Sequence, residues 1–244
     1  MPDLVLEPRG PFSLPAAGRF LKDFPPADNQ GPDERGTVRL AFVLDDYSGA
    51  AAVALHQADD DAPVEVAVAG TDRLDVVRGQ LERILGLEHD AAPFLGVLDG
   101  DPVLRERWER TGHLRAVSFP SPYVAACWSV IALRLRQAQA VRVRQRIEER
   151  LGERIDVSGL PLTTFPVPDR LRELPGLGRF YATLVLVRAT GATDAFFPIE
   201  RLRRAAARAY EMADTPTEEA FTELAERWRP FRAWAGVLLR AADR

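Results

Sequence analysis

The sequence predicts an α+β protein: a small layer of antiparallel strands and helices over residues 1–115, followed by an all-helical part over 116–244. Three observations carry this reading. Apolar residues alternate with period 2 in three short runs before residue 70, the pattern of strands with one face buried. From about residue 117 onward the period becomes three to four, and Ser-Pro and Thr-x-x-Glu starts take over, the signatures of helices. The charge changes at nearly the same place: residues 1–102 carry a net −11, residues 103–155 a net +6 and residues 156–244 a net +1. An acidic first part joined to a basic middle suggests two units with different tasks.

The elements follow in order. Ser13-Leu14-Pro15 opens a short helix, with serine as the cap and proline in the first turn; its apolar stripe is Phe20, Leu21 and Phe24. Val38, Leu40, Phe42 and Leu44 form a first alternating strand and Ala52–Gln57 a second. The triplet Asp59-Asp60-Asp61 turns the chain into a third strand through Val64, Val66 and Val68. Leu74, Val77, Leu81 and Ile84 line one face of a helix that starts near Asp72. In the second part, Ser121-Pro122 starts a helix expected to run to about Leu151 and to bury Trp128, Ile131, Leu135 and Ile147. Arg142, Arg146 and Arg150 share one face of it. They are either a solvated row beside Glu148 and Glu149 or a row of phosphate contacts. Residues 159–168 read as a proline-containing connector. Short helices are expected over Asp169–Leu174 and from Arg179 to about Thr190, with Leu174-Pro175-Gly176-Leu177-Gly178 as the turn between them. A loop from Asp194 to Pro198 feeds a helix over Ile199–Met212. Thr215-Pro216-Thr217-Glu218 reads as a capping box for another helix, and a last helix ends near Arg240.

Composition excludes several classes. With 46% apolar and 28% charged residues the chain is ordinary globular material. No apolar run approaches the length of a membrane span. The opening MPDLVLEPRG has neither the basic nor the apolar region of a signal peptide, so a cytoplasmic, nucleoid-associated protein with no membrane partner is expected. One cysteine, Cys127, leaves no disulfide framework and no cysteine-built metal cluster. The three histidines, His56, His89 and His113, are scattered, so no metal and no cofactor are expected. Cys127 lies mid-helix beside Trp128 and reads as a small buried hydrophobe.

The turn Leu174–Gly178 is the first feature with a chemical meaning. An h-P-G-h-G turn between two helices allows tight backbone geometry and keeps side chains out of the way. Its freed N–H groups and the following helix start form a ready seat for a phosphate. On its own the turn reads either as an ordinary Pro-Gly break between two helices or as a helix–hairpin–helix that would grip a DNA backbone through Leu174, Gly176, Gly178 and Arg179 without reading bases.

Two further segments follow the turn in a telling order: Asp194-Ala195-Phe196-Phe197-Pro198-Ile199-Glu200, then Glu226-Arg227-Trp228-Arg229-Pro230-Phe231-Arg232. With Phe119–Ile131 ahead of them, they resemble the helix–hairpin–helix DNA glycosylases of the 3-methyladenine DNA glycosylase II (AlkA) type, and the likeness covers nearly the whole chain. That resemblance implies removal of alkylated purines from double-stranded DNA by a monomer. The damaged nucleotide is flipped into a pocket and its N-glycosidic bond hydrolysed. It places Glu200 at the family's catalytic carboxylate, Phe180 and Trp128 at the base pocket, and Leu133 and Arg134 at the wedge that enters the duplex gap. Asp194 and Arg240 are further candidates; Asp194 reads first as a structural loop cap. The resemblance also allows a monovalent cation at the hairpin.

The sequence departs from that family's pattern in three ways. Its catalytic aspartate is Glu200 here, its Gly-Gln pair near the wedge is Ala132-Leu133, and Phe165-Pro166-Val167-Pro168 runs almost directly into Leu174, where the family has further helices. A single lysine, Lys22, lies in the N-terminal part. A strand-nicking lyase working through a lysine Schiff base in the second part is therefore excluded. Two functions remain open on these residues: a monofunctional glycosylase, or a catalytically weak or inactive DNA-binding relative that recognises distorted DNA.

Overall fold

The computed structural model describes residues 2–22, 24, 31–46, 48–60, 62–164, 193–194 and 196–241. The Leu174–Gly178 turn, its flanking helices and the connector after residue 164 lie outside the described residues.

Four strands, β1 (Leu4–Leu6), β2 (Val38–Val43), β3 (Ala50–Gln57) and β4 (Val64–Ala69), form one antiparallel sheet in the order β1-β4-β3-β2. The three expected strands are present, and β1 is an addition that pairs Leu4 with Val66. Alternation works as anticipated on one face. Leu4, Leu6, Val38, Leu40, Phe42, Val53, Leu55, Val64 and Val66 are buried together in the main core. The opposite face is also covered, which the strand pattern did not foretell. Ala50, Ala52 and Ala54 of β3 pack against Ile155 and Val157. Those two belong to a hairpin of β5 (Arg154–Val157) and β6 (Leu160–Thr163), a segment read from the sequence as a helix end and a connector. Approach is close because the sheet presents small residues there. A Cβ on Gly70, whose φ is +88°, would stand 2.9 Å from Ile155 Cδ1 and 3.0 Å from the Ala50 carbonyl oxygen.

Helix α1 (Leu14–Lys22) starts at Ser13, whose Oγ accepts from Ala16 N–H at 3.4 Å. Helix α2 (Leu74–Leu85) buries Val77, Leu81 and Ile84 as its spacing predicts. Two helices not anticipated, α3 (Ala92–Asp99) and α4 (Pro102–Arg110), follow and add Phe94, Leu98, Leu104 and Trp108 to the core.

The long helix expected over Ser121–Leu151 is two helices: α5 (Pro122–Ile131), capped by Ser121 Oγ, and α6 (Gln137–Leu151). The break has a local cause. Arg134 takes a left-handed φ of +59°, which ends a helix. Leu133 and Leu135 face outward and so contribute nothing to a core that would hold a continuous helix straight. Leu135, expected to be buried, is therefore exposed. Gln139 Oε1 accepts the Arg136 N–H at 3.1 Å to start α6 afresh. Trp128 is buried in a second cluster with Phe119, Tyr123, Val124, Ala125 and Ala140, against which Ile131, Ala132 and Ile147 pack.

Three helices close the chain: α7 (Glu200–Ala209), α8 (Glu218–Ala225) and α9 (Arg232–Ala241), with a 3-10 turn over Glu226–Trp228. The cap of α8 is Thr217, accepting from Ala220 N–H at 3.2 Å, and not Thr215, because the chain reaches helical geometry only after Pro216. These helices share the main core with the sheet. Leu202, Ala205, Phe221, Trp228, Phe231, Trp234 and Leu238 lie in one buried cluster with the residues of β1–β4 and α2–α4. Asp101, the cap of α4, reinforces the join: it accepts from Tyr210 Oη at 2.7 Å and from Trp228 Nε1 at 3.1 Å. Burial and the Asp101 carboxylate push the Tyr210 phenol up, so it stays a donor.

Arg115 is a heavily bonded side chain of the interior. It is 1% exposed and donates to the carbonyls of Arg9, Gly10, Pro11, Gly86 and His89 at 2.6–3.2 Å. Its guanidinium lies 5.6 Å from the Phe12 ring and 5.9 Å from the Trp234 ring. Replacing it with methionine would keep the volume and orphan several buried carbonyls. Arg115→Met is expected to lower the unfolding free energy by about 3 kcal/mol or more in urea titration.

Candidate functional site

Glu200 is the first residue of α7, after Ile199 in extended geometry as the helix cap. Its side chain is 62% exposed and pairs with Arg204 one turn on. A carboxylate at a helix start is favoured by the macrodipole and remains open to solvent and to ligands.

The loop before it is held from several sides. Asp194 is the centre of an ion network. Its carboxylate accepts from Arg232 Nε at 2.8 Å and Nη2 at 2.9 Å, and from Arg229 Nη1 at 2.9 Å. Arg232 Nη2 also donates to the Asp194 carbonyl at 3.2 Å, and Ala233 N–H to the Thr193 carbonyl at 2.8 Å. Glu226 closes the ring, accepting from Arg229 Nε at 2.6 Å and Arg232 Nη1 at 3.0 Å. The Arg232 guanidinium lies 5.6 Å from the Phe196 ring, which packs 5.4 Å from Phe221. At the far end of the loop, Arg203 of α7 donates to the carbonyls of Pro198 at 3.1 Å and Pro216 at 2.6 Å. Beneath it, Gly236 of α9 brings the backbone against Leu202; a Cβ there would lie 3.3 Å from Leu202 Cδ2.

The charges are matched. Burial of Asp194 by itself pushes its carboxyl up, but the Arg232 hydrogen bonds and the charges of Arg232 and Arg229 outweigh it and hold the group below its usual range. Glu226 is lowered by its hydrogen bond from Arg229, and Arg229 is raised by the same bond. In its contacts Asp194 anchors the loop.

The other candidates lie elsewhere. Leu133 and Arg134 stand at the exposed α5–α6 corner, and neither shares a hydrogen bond or ion pair with Glu200. Trp128 is buried in the second cluster. Arg240 is half-buried near the end of α9. Leu174, Gly176, Gly178, Arg179 and Phe180, with any cation at the hairpin, fall outside the described residues. Burial pushes the Cys127 thiol up to about 11, so at neutral pH it is not a thiolate nucleophile. Among the described residues no group of three or more His, Cys, Asp or Glu side chains could hold a metal, and no helix is long and apolar enough to cross a membrane. Glu226, Arg229, Arg232 and Arg203 were not foreseen as loop supports. The signal lay in the acid-then-arginine spacing of Glu226, Arg229 and Arg232, which reads as a family motif until its partner Asp194 is seen.

No protein-family profile matches the chain. Over 88 residues it is 27% identical to a DNA-3-methyladenine glycosylase of Bacillus subtilis, a stretch that is 36% of this chain and 29% of the relative. Among solved structures it is similar to a 3-methyladenine DNA-glycosylase from Archaeoglobus fulgidus, with a TM-score of 0.80 at 22% identity over 99% of this chain and 98% of that one. It is also similar to a Clostridium acetobutylicum 8-oxoguanine glycosylase/lyase in complex with double-stranded DNA containing cytosine opposite 8-oxoguanine. There the TM-score is 0.66 at 13% identity, over 99% and 98% of the two chains. The fold is the one these two glycosylases share.

Because the folded-state carboxyl of Asp194 titrates below its unfolded value of 3.8, its stabilisation is present above that value and lost as pH falls through the lower, folded one. The stability gap between wild type and Asp194→Asn is therefore expected to be full at pH 7 and to shrink as pH drops below about 4. Urea titrations across that range measure it.

Proposed function

We propose that this protein is a monofunctional DNA glycosylase that releases alkylated purines of the 3-methyladenine type in base-excision repair. The observation that carries the proposal is Glu200: an exposed carboxylate at a helix start, on a loop clamped at both ends. It sits in a chain whose sequence likeness is to a 3-methyladenine glycosylase. In the reaction, water adds to C1′ as the bond from C1′ to the base nitrogen breaks. An N3- or N7-alkylated purine is cationic and leaves as a neutral base, taking the bonding electron pair. The carboxylate would stabilise the positive charge that builds on the sugar ring and accept or orient the proton of the water.

Three features support the DNA-bound part of this reading. The α5–α6 corner offers exposed Leu133 beside Arg134, an apolar group of the kind that fills a gap left in a base stack. Arg142, Arg146 and Arg150 are exposed on α6, and among the described residues none has a carboxylate partner. Lys22, at the end of α1, is the only lysine, so no lysine of the second part could form a Schiff base with the sugar, which favours water as the nucleophile.

The second reading, a DNA-binding relative that recognises distorted DNA without base release, is favoured by one observation. Glu200 is one methylene longer than an aspartate and is engaged by Arg204. A misplacement of about 1 Å can cost about 10²-fold in rate.

Incubation with N-methylated duplex DNA, followed by hot alkali, is expected to reveal abasic sites. Glu200→Gln should reduce them by about 10²-fold or more while leaving DNA affinity in place. Salt-sensitive binding with no abasic sites at any protein level would establish the second reading. Exchanging Arg142, Arg146 and Arg150 together for glutamine is expected to reduce the slope of log affinity against log salt by about 2.7, the counterions of about three phosphates. An unchanged slope would remove α6 from the DNA surface.

A further inference from the structure

We infer that the Asp194–Arg232 pair is a positioning device for Glu200: Arg229 and Arg232 set the loop that carries the reacting carboxylate, and do not touch DNA. This inference rests on the glycosylase reading and deepens it.

The argument starts from what these arginines are free to do. Arg232 is 13% exposed and its donors are spent on two carboxylates and a carbonyl. Arg229, half-exposed, is shared between Asp194 and Glu226. Two cations face two anions, so the cluster is neutral and offers a phosphate little that it does not already hold. The row on α6 is the opposite case: Arg142, Arg146 and Arg150 are exposed with no ion-pair partner among the described residues.

The geometry then says what the cluster holds. Its anchor, Asp194, lies six residues before Glu200. Arg232 grips that residue by both its side chain and its carbonyl, and stacks on Phe196 two residues further on. The next helix position, Ala233, fixes Thr193 through its backbone. Arg203 fixes the loop's other end at Pro198. What lies between Thr193 and Glu200 is thus referred to the start of α9, a helix whose Trp234 and Leu238 are buried in the main core. A carboxylate that must meet a sugar carbon within a fraction of an ångström gains from such a rigid base, because loops unsupported by packing place groups loosely.

The test is single-turnover base release from methylated duplex DNA at saturating protein, with DNA affinity and melting temperature measured in parallel. Asp194→Asn, nearly isosteric but keeping only one acceptor oxygen for the arginine donors, is expected to slow release by about 10-fold, and Asp194→Ala by about 10²-fold. DNA affinity should remain within about 3-fold for both, since no phosphate contact is lost. The decisive measurement is in the Glu200→Gln background. If Asp194 acts through Glu200, Asp194→Ala there reduces the residual release no further. Multiplying reductions would overturn the inference, as would full release by Asp194→Ala, or a loss of DNA affinity that accounts for the slower release. A wild-type protein that binds methylated DNA but releases no base would instead bring down the glycosylase reading, and the inference with it.

Discussion

The main core is tied at one buried guanidinium, that of Arg115. Arg115 is withdrawn from water, and five backbone carbonyls accept its hydrogen bonds. Those carbonyls belong to the N-terminal segment 9–11, to the end of α2 and to the turn after it. The face of the guanidinium meets the ring of Trp234, on the last helix. The first and last stretches of the chain are thereby fixed to one group. Since Arg232 lies two residues from Trp234 on the same helix, the tie continues outward to Asp194 and to the loop that presents Glu200. Stability in the interior and placement at the surface are two ends of one line of contacts.

The use of arginine follows from this. Thirty-one of the 32 basic residues are arginine, Lys22 being the exception. A planar fork of five donors suits groups that must satisfy several acceptors at once. Arg83 bridges the Phe119 and Pro120 carbonyls and Asp45, Arg107 reaches the Leu239 carbonyl, and Arg144 pairs with Glu148 inside α6. A lysine could make one or two of these bonds and not the set. What is left over on α6 is the exposed row of Arg142, Arg146 and Arg150, in which Arg142 Nε donates to the Ala138 carbonyl at 3.3 Å.

The sequence was most readable where one physical rule acted alone. Val64 and Val66 alternate because one side of a strand meets the core, and Ser121 ahead of Pro122 marks a helix start because an extended, hydroxyl-bearing residue must precede a proline in the first turn. It was least readable where tertiary contact decides. At residues 154–163 the local signal is the Ser158-Gly159 turn, both residues at positive φ between Ile155/Val157 and Leu160/Leu162; what the segment itself does not reveal is the face of alanines that the hairpin covers. That face could have been seen: Ala41, Ala50, Ala52, Ala54, Ala67 and Ala69 occupy the positions where a solvent-facing strand would carry polar groups. The kink after Ile131 was hidden for a similar reason. Leu133 and Leu135 look like core residues by composition, and only their outward setting shows otherwise. At the site, Glu200 and Asp194 were both visible as carboxylates, but their division into an open group and an anchored one depends on arginines some thirty residues away along the chain.

The covered alanine face also bears on how such a protein can change over time. The hairpin of β5 and β6 is the last described stretch before residue 165, and in chain order it leads straight to the segment that holds the Leu174–Gly178 turn. It rests on the sheet of the acidic first part. That layer is therefore not an appendage that recombination could exchange for another. A foreign sheet with bulkier or charged residues at those alanine positions would lift the hairpin and, with it, the point from which the downstream segment departs. Changes at those alanine positions and at Ile155 or Val157 are therefore coupled, because each alters the gap the other must fill.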